Sequence, residues 1–207
     1  MFFVTLSIRE NQVTSPQHKS EYISADLFSI FRNFAFLKEH THIMNNIFTN
    51  NIIDSAAKLT ELIKHVGLLP LLDSGISGFD AESIVDDDCR YVTFPDGGWD
   101  WPLWKWKGPI IADGNCVYGK FFAKKAGFIS LEWWPDFCNY RRNNSPQIEE
   151  GSVEDIILDT LKERGSMITR NLRKACGFTG PKMRSLFDGY ITRLQMACRI
   201  VTQKIKQ

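Results

Sequence analysis

Four groups of side chains in this sequence have types and spacings that could do chemistry. His40 and His42 stand two apart and could meet one metal ion from a strand. No carboxylate or thiol stands at ligand spacing to them, so no metal is expected. The five cysteines, Cys89, Cys116, Cys138, Cys176 and Cys198, are odd in number and form no C-x-x-C pair. That argues against a zinc ribbon or a redox dithiol and for free, mostly buried thiols. Gly97-Gly98 lacks the flanking pattern of a phosphate loop or dinucleotide turn, so no cofactor is expected. The fourth group is cationic. Lys120, Lys124, Lys125, Arg141 and Arg142 fall in one stretch, and Arg170, Arg173, Lys174, Lys182, Arg184 and Arg193 in another. These are the side chains that hold phosphate oxygens.

The net charge of +1 conceals a block pattern. Residues 73–103 carry eight acidic side chains and one basic, Arg90. Residues 104–142 carry seven basic and three acidic, and residues 151–207 eleven basic and five acidic. Attraction to a polyanion depends on the local patch, so a neutral total does not exclude double-stranded DNA as a partner.

The elements that must position these residues can be read from periodicity and caps. Ser24–Lys38 has helical spacing, with Ser24 as its cap. Ile52, Ile53, Ala56, Leu59, Leu62, Ile63 and Val66 share one helical face, with Asn51 as N-cap and Gly67 as stop. Asp80 caps a short helix. Alternation of Trp104 and Trp106 with Lys105 and Lys107 predicts a half-buried strand running into Ile110-Ile111. Asp113-Gly114-Asn115 would turn it into a hairpin with Cys116–Gly119. Asn139–Pro146 reads as a linker.

The C-terminal part has the clearest pattern. Ser152-Val153-Glu154-Asp155 opens a helix that ends at Gly165. Thr169 caps a second helix, closed by Gly177. Pro181 starts a third, with Met183, Leu186, Phe187, Tyr190, Ile191 and Leu194 facing inward. Arg199–Ile205 alternates as a strand. Three helices with short glycine-containing turns and then a strand is the order of a winged helix-turn-helix. In that geometry the third helix offers Lys182, Arg184 and Arg193 to the groove, and the second offers Arg170, Arg173 and Lys174 to phosphates. Asp188 mid-helix would repel phosphate if exposed, and only one wing strand follows.

Length and composition set the class. A chain of 207 residues, 43% hydrophobic and 24% charged, can bury a core without disulfides or metal. No apolar run approaches the roughly 20 residues that span a bilayer. Met1–Ile8 has no basic n-region or cleavage site, so a cytoplasmic protein with no membrane partner is expected.

Three stretches carry a family resemblance, in the family's order. They are Val66–Leu72 (VGLLPLL), Tyr118–Ile129 (YGKFFAKKAGFI) continuing through Trp134-Pro135 to Tyr140-Arg141-Arg142, and Leu161–Leu172 (LKERGSMITRNL). The block Leu59–Ile200 resembles the AlkZ-type (YcaQ-like) winged-helix DNA glycosylases, and more closely a smaller AlkZ-related set of bacterial proteins. The resemblance implies opening of the sugar–base bond in alkylated or cross-linked DNA by a Gln-x-Gln or Gln-x-Asp pair just after the first motif. The matching positions here are Pro70 and Leu72, which can neither accept a proton nor orient water. Where the family has a His in the second motif, this chain has Lys124. Asp80 or Glu82 could serve as a substitute base, and Lys124 as an amine nucleophile if its pKa were depressed.

The expectation is therefore an α+β, mostly helical chain with a winged helix-turn-helix C-terminal part and an aromatic-rich middle region containing a small β-hairpin. Its regions would be 1–50, 51–147 and 148–207. Its function would be binding of DNA without the usual catalytic pair. An active DNA glycosylase is one alternative. The other is a protein-interaction module built on the Trp-rich 99–106 stretch beside the acidic segment.

Overall fold

The computed structural model describes residues 3–8, 52–73, 75, 78–180 and 182–206. All but Ile52 and Ile53 belong to one compact unit formed by residues 1–11 and 54–207. The expected Ser24–Lys38 helix, Asn51, Pro181, and the histidines His18, His40 and His42 lie outside the described residues.

The fold is α+β, with seven α-helices and a six-stranded sheet among the described residues. β1 (Phe3–Ser7) is followed by α1 (Ala56–Val66), β2 (Leu68–Pro70) and α2 (Ala81–Ile84). A two-stranded hairpin, β3 (Val92–Thr93) and β4 (Trp99–Asp100), precedes α3 (Pro102–Asp113). Then come β5 (Cys116–Phe122), β6 (Lys125–Ser130) and α4 (Trp134–Asn143). The chain closes with α5 (Val153–Arg164), β7 (Met167–Ile168), α6 (Thr169–Ala175), α7 (Met183–Met196) and β8 (Val201–Lys206). The sheet order is β2-β6-β5-β8-β1-β7, and each pairing is antiparallel.

Caps explain several boundaries. The Ser55 side chain, rather than Asn51, accepts from the Lys58 N–H to open α1. Gly67 closes it at φ 83°, where an added Cβ would meet the Trp133 indole at 2.7 Å. Ser152 Oγ accepts from the Asp155 N–H at 3.2 Å, while Asp155 Oδ2 accepts from the Gly151 N–H at 2.9 Å. This reciprocal cap fixes the start of α5.

Residues 102–113 are a helix, not the expected strand. Pro102 supplies a preset φ in its first turn, and Gly114 at φ 78° ends it. Two alternating tryptophans were too short a pattern to separate period 2 from period 3.6. The hairpin lies one element later, between β5 and β6, where Phe122 pairs with Lys125 around Ala123 and Lys124. Both turn residues have positive φ, 46° and 73°. The tight two-residue loop demands this without the usual glycine. Arg141 and Arg142 lie on a helix, not a linker.

The C-terminal core joins α5, α6 and α7 to β1. Leu6, Ile157, Leu161, Leu172, Phe187, Ile191, Leu194 and Ile200 form one buried cluster. The single strand expected after α7 has an antiparallel partner, β1, from the other end of the sequence. Met183 and Leu186 do not face inward, being 37% and 48% exposed. The inward face of α7 is Phe187, Ile191 and Leu194, spaced by four and three residues. No helix among the described residues is long and apolar enough to cross a membrane.

Candidate nucleic-acid interface

The two cationic stretches have different fates. In residues 104–142 most charges turn into the fold. Lys120 lies on β5 with its Nζ donating to Thr192 Oγ1 at 3.1 Å, and its backbone N–H donates to Gln195 Oε1. Both contacts fasten β5 to α7. Lys125 pairs with Asp73 at 3.0 Å and holds that carboxyl below its usual range. Arg141 donates to the Phe121 carbonyl and lies over the Phe137 ring. Arg142 donates twice to the Cys198 carbonyl, just past the end of α7. Lys124 stays exposed at the β5–β6 turn, with no ion pair among the described residues.

Lys107 is the extreme case. It is 5% exposed, with Nζ 2.7 Å from the Trp104 ring centroid. Burial lowers its pKa from the ordinary 10.5 to about 7. Between those values the unfolded chain binds the proton and the folded chain does not, so stability rises as pH climbs from about 7 toward 10. Below 7 the cost of burying the ammonium is fully present. Lys107→Met should therefore raise stability at pH 7 by about 1–2 kcal/mol, after allowance for residual solvation and the ring's attraction. It should also flatten the rise in melting temperature between pH 7 and 10. An unchanged pH profile would show that the ammonium is solvated in the folded chain.

The C-terminal cations face outward more often. Arg170 and Lys174 are exposed one turn apart on α6. Arg173 is half-buried and donates to the Phe178 carbonyl, closing the turn after α6. Residues 182–186 are exposed without interruption, carrying Lys182 and Arg184 at the start of α7. That helix start has no acidic residue in its first turn and no side-chain cap, and its first amide, Met183 N–H, donates to the Gly180 carbonyl at 3.1 Å. Arg184 meets Asp188 only at 3.8 Å, with the guanidinium side chain 81% exposed. Arg193, at the far end of α7, is held by Glu154 of α5 at 2.8 and 3.0 Å and lies over Tyr190. Arg170, Lys174, Lys182 and Arg184 are each exposed, two on α6 and two at the start of α7. The structure sets Lys120, Arg141, Arg142, Arg173 and Arg193 to fastening elements together.

Pro70 and Leu72, where the resemblance implies a catalytic pair, are apolar. Pro70 ends the outermost strand β2, pairs with Gly127 and is buried; Leu72 is half-buried. Asp80, buried, accepts from the Ser83 N–H at 2.9 Å and from the Ser83 hydroxyl at 2.8 Å, so both its oxygens cap α2. Glu82 lies close by, its N–H donating to the Leu71 carbonyl. Burial raises its carboxyl pKa, the Asp80 charge adds to this, and Arg90 opposes it. Sequence reasoning had no signal for Lys107, because the stretch was read as a strand rather than the helix that sets it over Trp104, or for the Gln195–Lys120 tie, which joins elements distant in sequence. The exposed start of α7 could have been read from Lys182, Arg184 and Ser185 flanking Met183 and Leu186.

All five cysteines are free; four are buried and Cys176 is half-buried. No cluster of three or more His, Cys, Asp or Glu fit for a metal occurs among the described residues.

No curated protein and no solved structure matches this chain. The family model described as AlkZ related matches residues 53–207, from just before α1 through the last strand. With that match spanning the helices, the sheet and the exposed cationic segment described above, the chain belongs to the AlkZ-related family.

Proposed function

We propose that this DNA-glycosylase-related protein binds duplex DNA through α6 and the start of α7, without cleaving the sugar–base bond. In this reading α5-β7-α6-α7-β8 acts as a winged helix whose sheet is completed by β1. α7 enters the major groove by its first turn, and α6 lies along the phosphates. The observation that carries it is the unbroken exposure of residues 182–186, with Lys182 and Arg184, at the start of α7, together with the exposure of Arg170 and Lys174 on the preceding helix. Exposed Met183 and Leu186 would give apolar contact to base edges. Lys124 adds a further phosphate contact, while Lys120, Lys125, Arg141, Arg142, Arg173 and Arg193 hold the scaffold. Lack of turnover follows from Pro70 and Leu72 at the family's reactive positions and from the double use of Asp80 as a cap.

Anisotropy of a labelled duplex, measured across salt concentrations, tests the proposal. The five phosphate contacts of this reading give a log–log salt slope of about −4 to −5. Replacing Arg170, Lys174, Lys182 and Arg184 together by alanine should weaken binding by roughly 100-fold at low salt and flatten that slope. Alkylated duplex incubated with the protein should yield no abasic product. Absence of binding at low salt, or binding indifferent to salt, would refute the interface; abasic product would refute the lost chemistry.

A further inference from the structure

The β3–β4 hairpin presents rings that the DNA reading leaves unused. Trp99, 60% exposed, stacks on Tyr91, 51% exposed, with centroids 5.8 Å apart. Tyr91 meets Trp101 edge-on, and Trp101 stacks on Trp104 at 4.8 Å. Trp104 lies under the buried Lys107 amine. Four rings therefore run from solvent to a buried basic group.

The outer end sits in an acidic frame. Asp86, Asp87 and Asp88 lie just before Tyr91, and Asp96 lies in the turn between the two strands. Arg90, the one cation of residues 73–103, is turned to Asp87 and to the carbonyls of Ser83 and Val85. Lys105 is held on Asp100 at 2.5 Å. Asp88 and Asp96 have no basic partner among the described residues, and Phe94 beside Asp96 is 48% exposed. Phosphate would be repelled here, so the stacked rings are not a platform for nucleobases. Carboxylates around open aromatic faces suit guanidinium or ammonium groups instead.

We propose that the β3–β4 hairpin docks a lysine- or arginine-bearing segment of a partner protein. Its cations rest on Trp99 and Tyr91 and pair with Asp88 and Asp96. This surface is distinct from α6 and α7, so the proposal stands or falls apart from DNA binding.

Titration calorimetry of the full chain with a short synthetic peptide of alternating arginine and glycine tests it, with the glutamate counterpart as control. The arginine peptide should bind and the glutamate peptide should not. Trp99→Ala with Tyr91→Ala should weaken binding roughly tenfold while leaving duplex binding and thermal stability unchanged. The isosteric pair Asp88→Asn and Asp96→Asn should weaken it roughly threefold and reduce its salt dependence, which keeps the test open if the ring variant unfolds. No heat with the arginine peptide, equal affinity in both variants, or loss of duplex binding in the ring variant would each overturn the proposal.

Discussion

Phe187→Ala is expected to lower the stability of the fold by about 3–5 kcal/mol, the usual range for deleting a buried ring. Phe187 is fully buried and forms the centre of the inward face of α7. Its ring packs against Phe178 with centroids 5.3 Å apart and belongs to the cluster that includes Leu6 of β1, Ile157 and Leu161 of α5, and Leu172 of α6. Truncation would leave a cavity between four elements that cannot all close on it, so both the transfer and the cavity cost apply. Urea or thermal unfolding measures the loss, equivalent to about 10 °C in melting temperature for a domain of this size. Leu186→Ala, one residue earlier and 48% exposed, should change stability by no more than about 0.5 kcal/mol. Equal effects at the two positions would mean that α7 is rotated about its axis from the arrangement described.

Gly127→Ala carries the second large effect, about 3 kcal/mol of destabilisation. The reason is crowding rather than backbone conformation. A Cβ at Gly127 would stand 2.6 Å from the Leu69 carbonyl oxygen and 2.7 Å from Pro70 Cα, both backbone atoms of β2. It would also meet the Phe122 ring at 2.5 Å. Strand β2 would have to leave β6, breaking the Leu68–Pro70 pairing with residues 127–129 and the Leu71 N–H bond to the Ala126 carbonyl. Chemical denaturation checks the value. A loss below about 1 kcal/mol would show that β2 slides without resistance.

The parts of the fold legible from sequence are those set by local chemistry. Ser152, Asp80 and Gly67 act as caps and stops because their side chains, or the lack of one, meet backbone groups within four residues. The resemblance in three ordered stretches likewise led to the family. What was hidden depends on the tertiary surroundings. Nothing near Lys107 announces that α3 buries its amine against Trp104, one turn earlier. Ala123-Lys124 lacks a turn signature, and only strand pairing on both sides forces the left-handed backbone there. The cationic count of residues 104–142 was correct as arithmetic but misleading as a surface. Asp73, Thr192 and two carbonyls take up Lys125, Lys120, Arg141 and Arg142.

In the sheet, β8 lies between β5 and β1. The β2-β6-β5 portion and the β1-β7 portion meet only along it. During synthesis the first strand therefore waits, its neighbour on one side unmade, until residues 201–206 leave the ribosome. Closure across nearly the whole chain makes the central ladder a late, slow event. A release of β8 would unpair β1 and β5 together, an opening that amide exchange along both strands would register, while α7 still holds β5 through Lys120 and packs on Leu6 of β1.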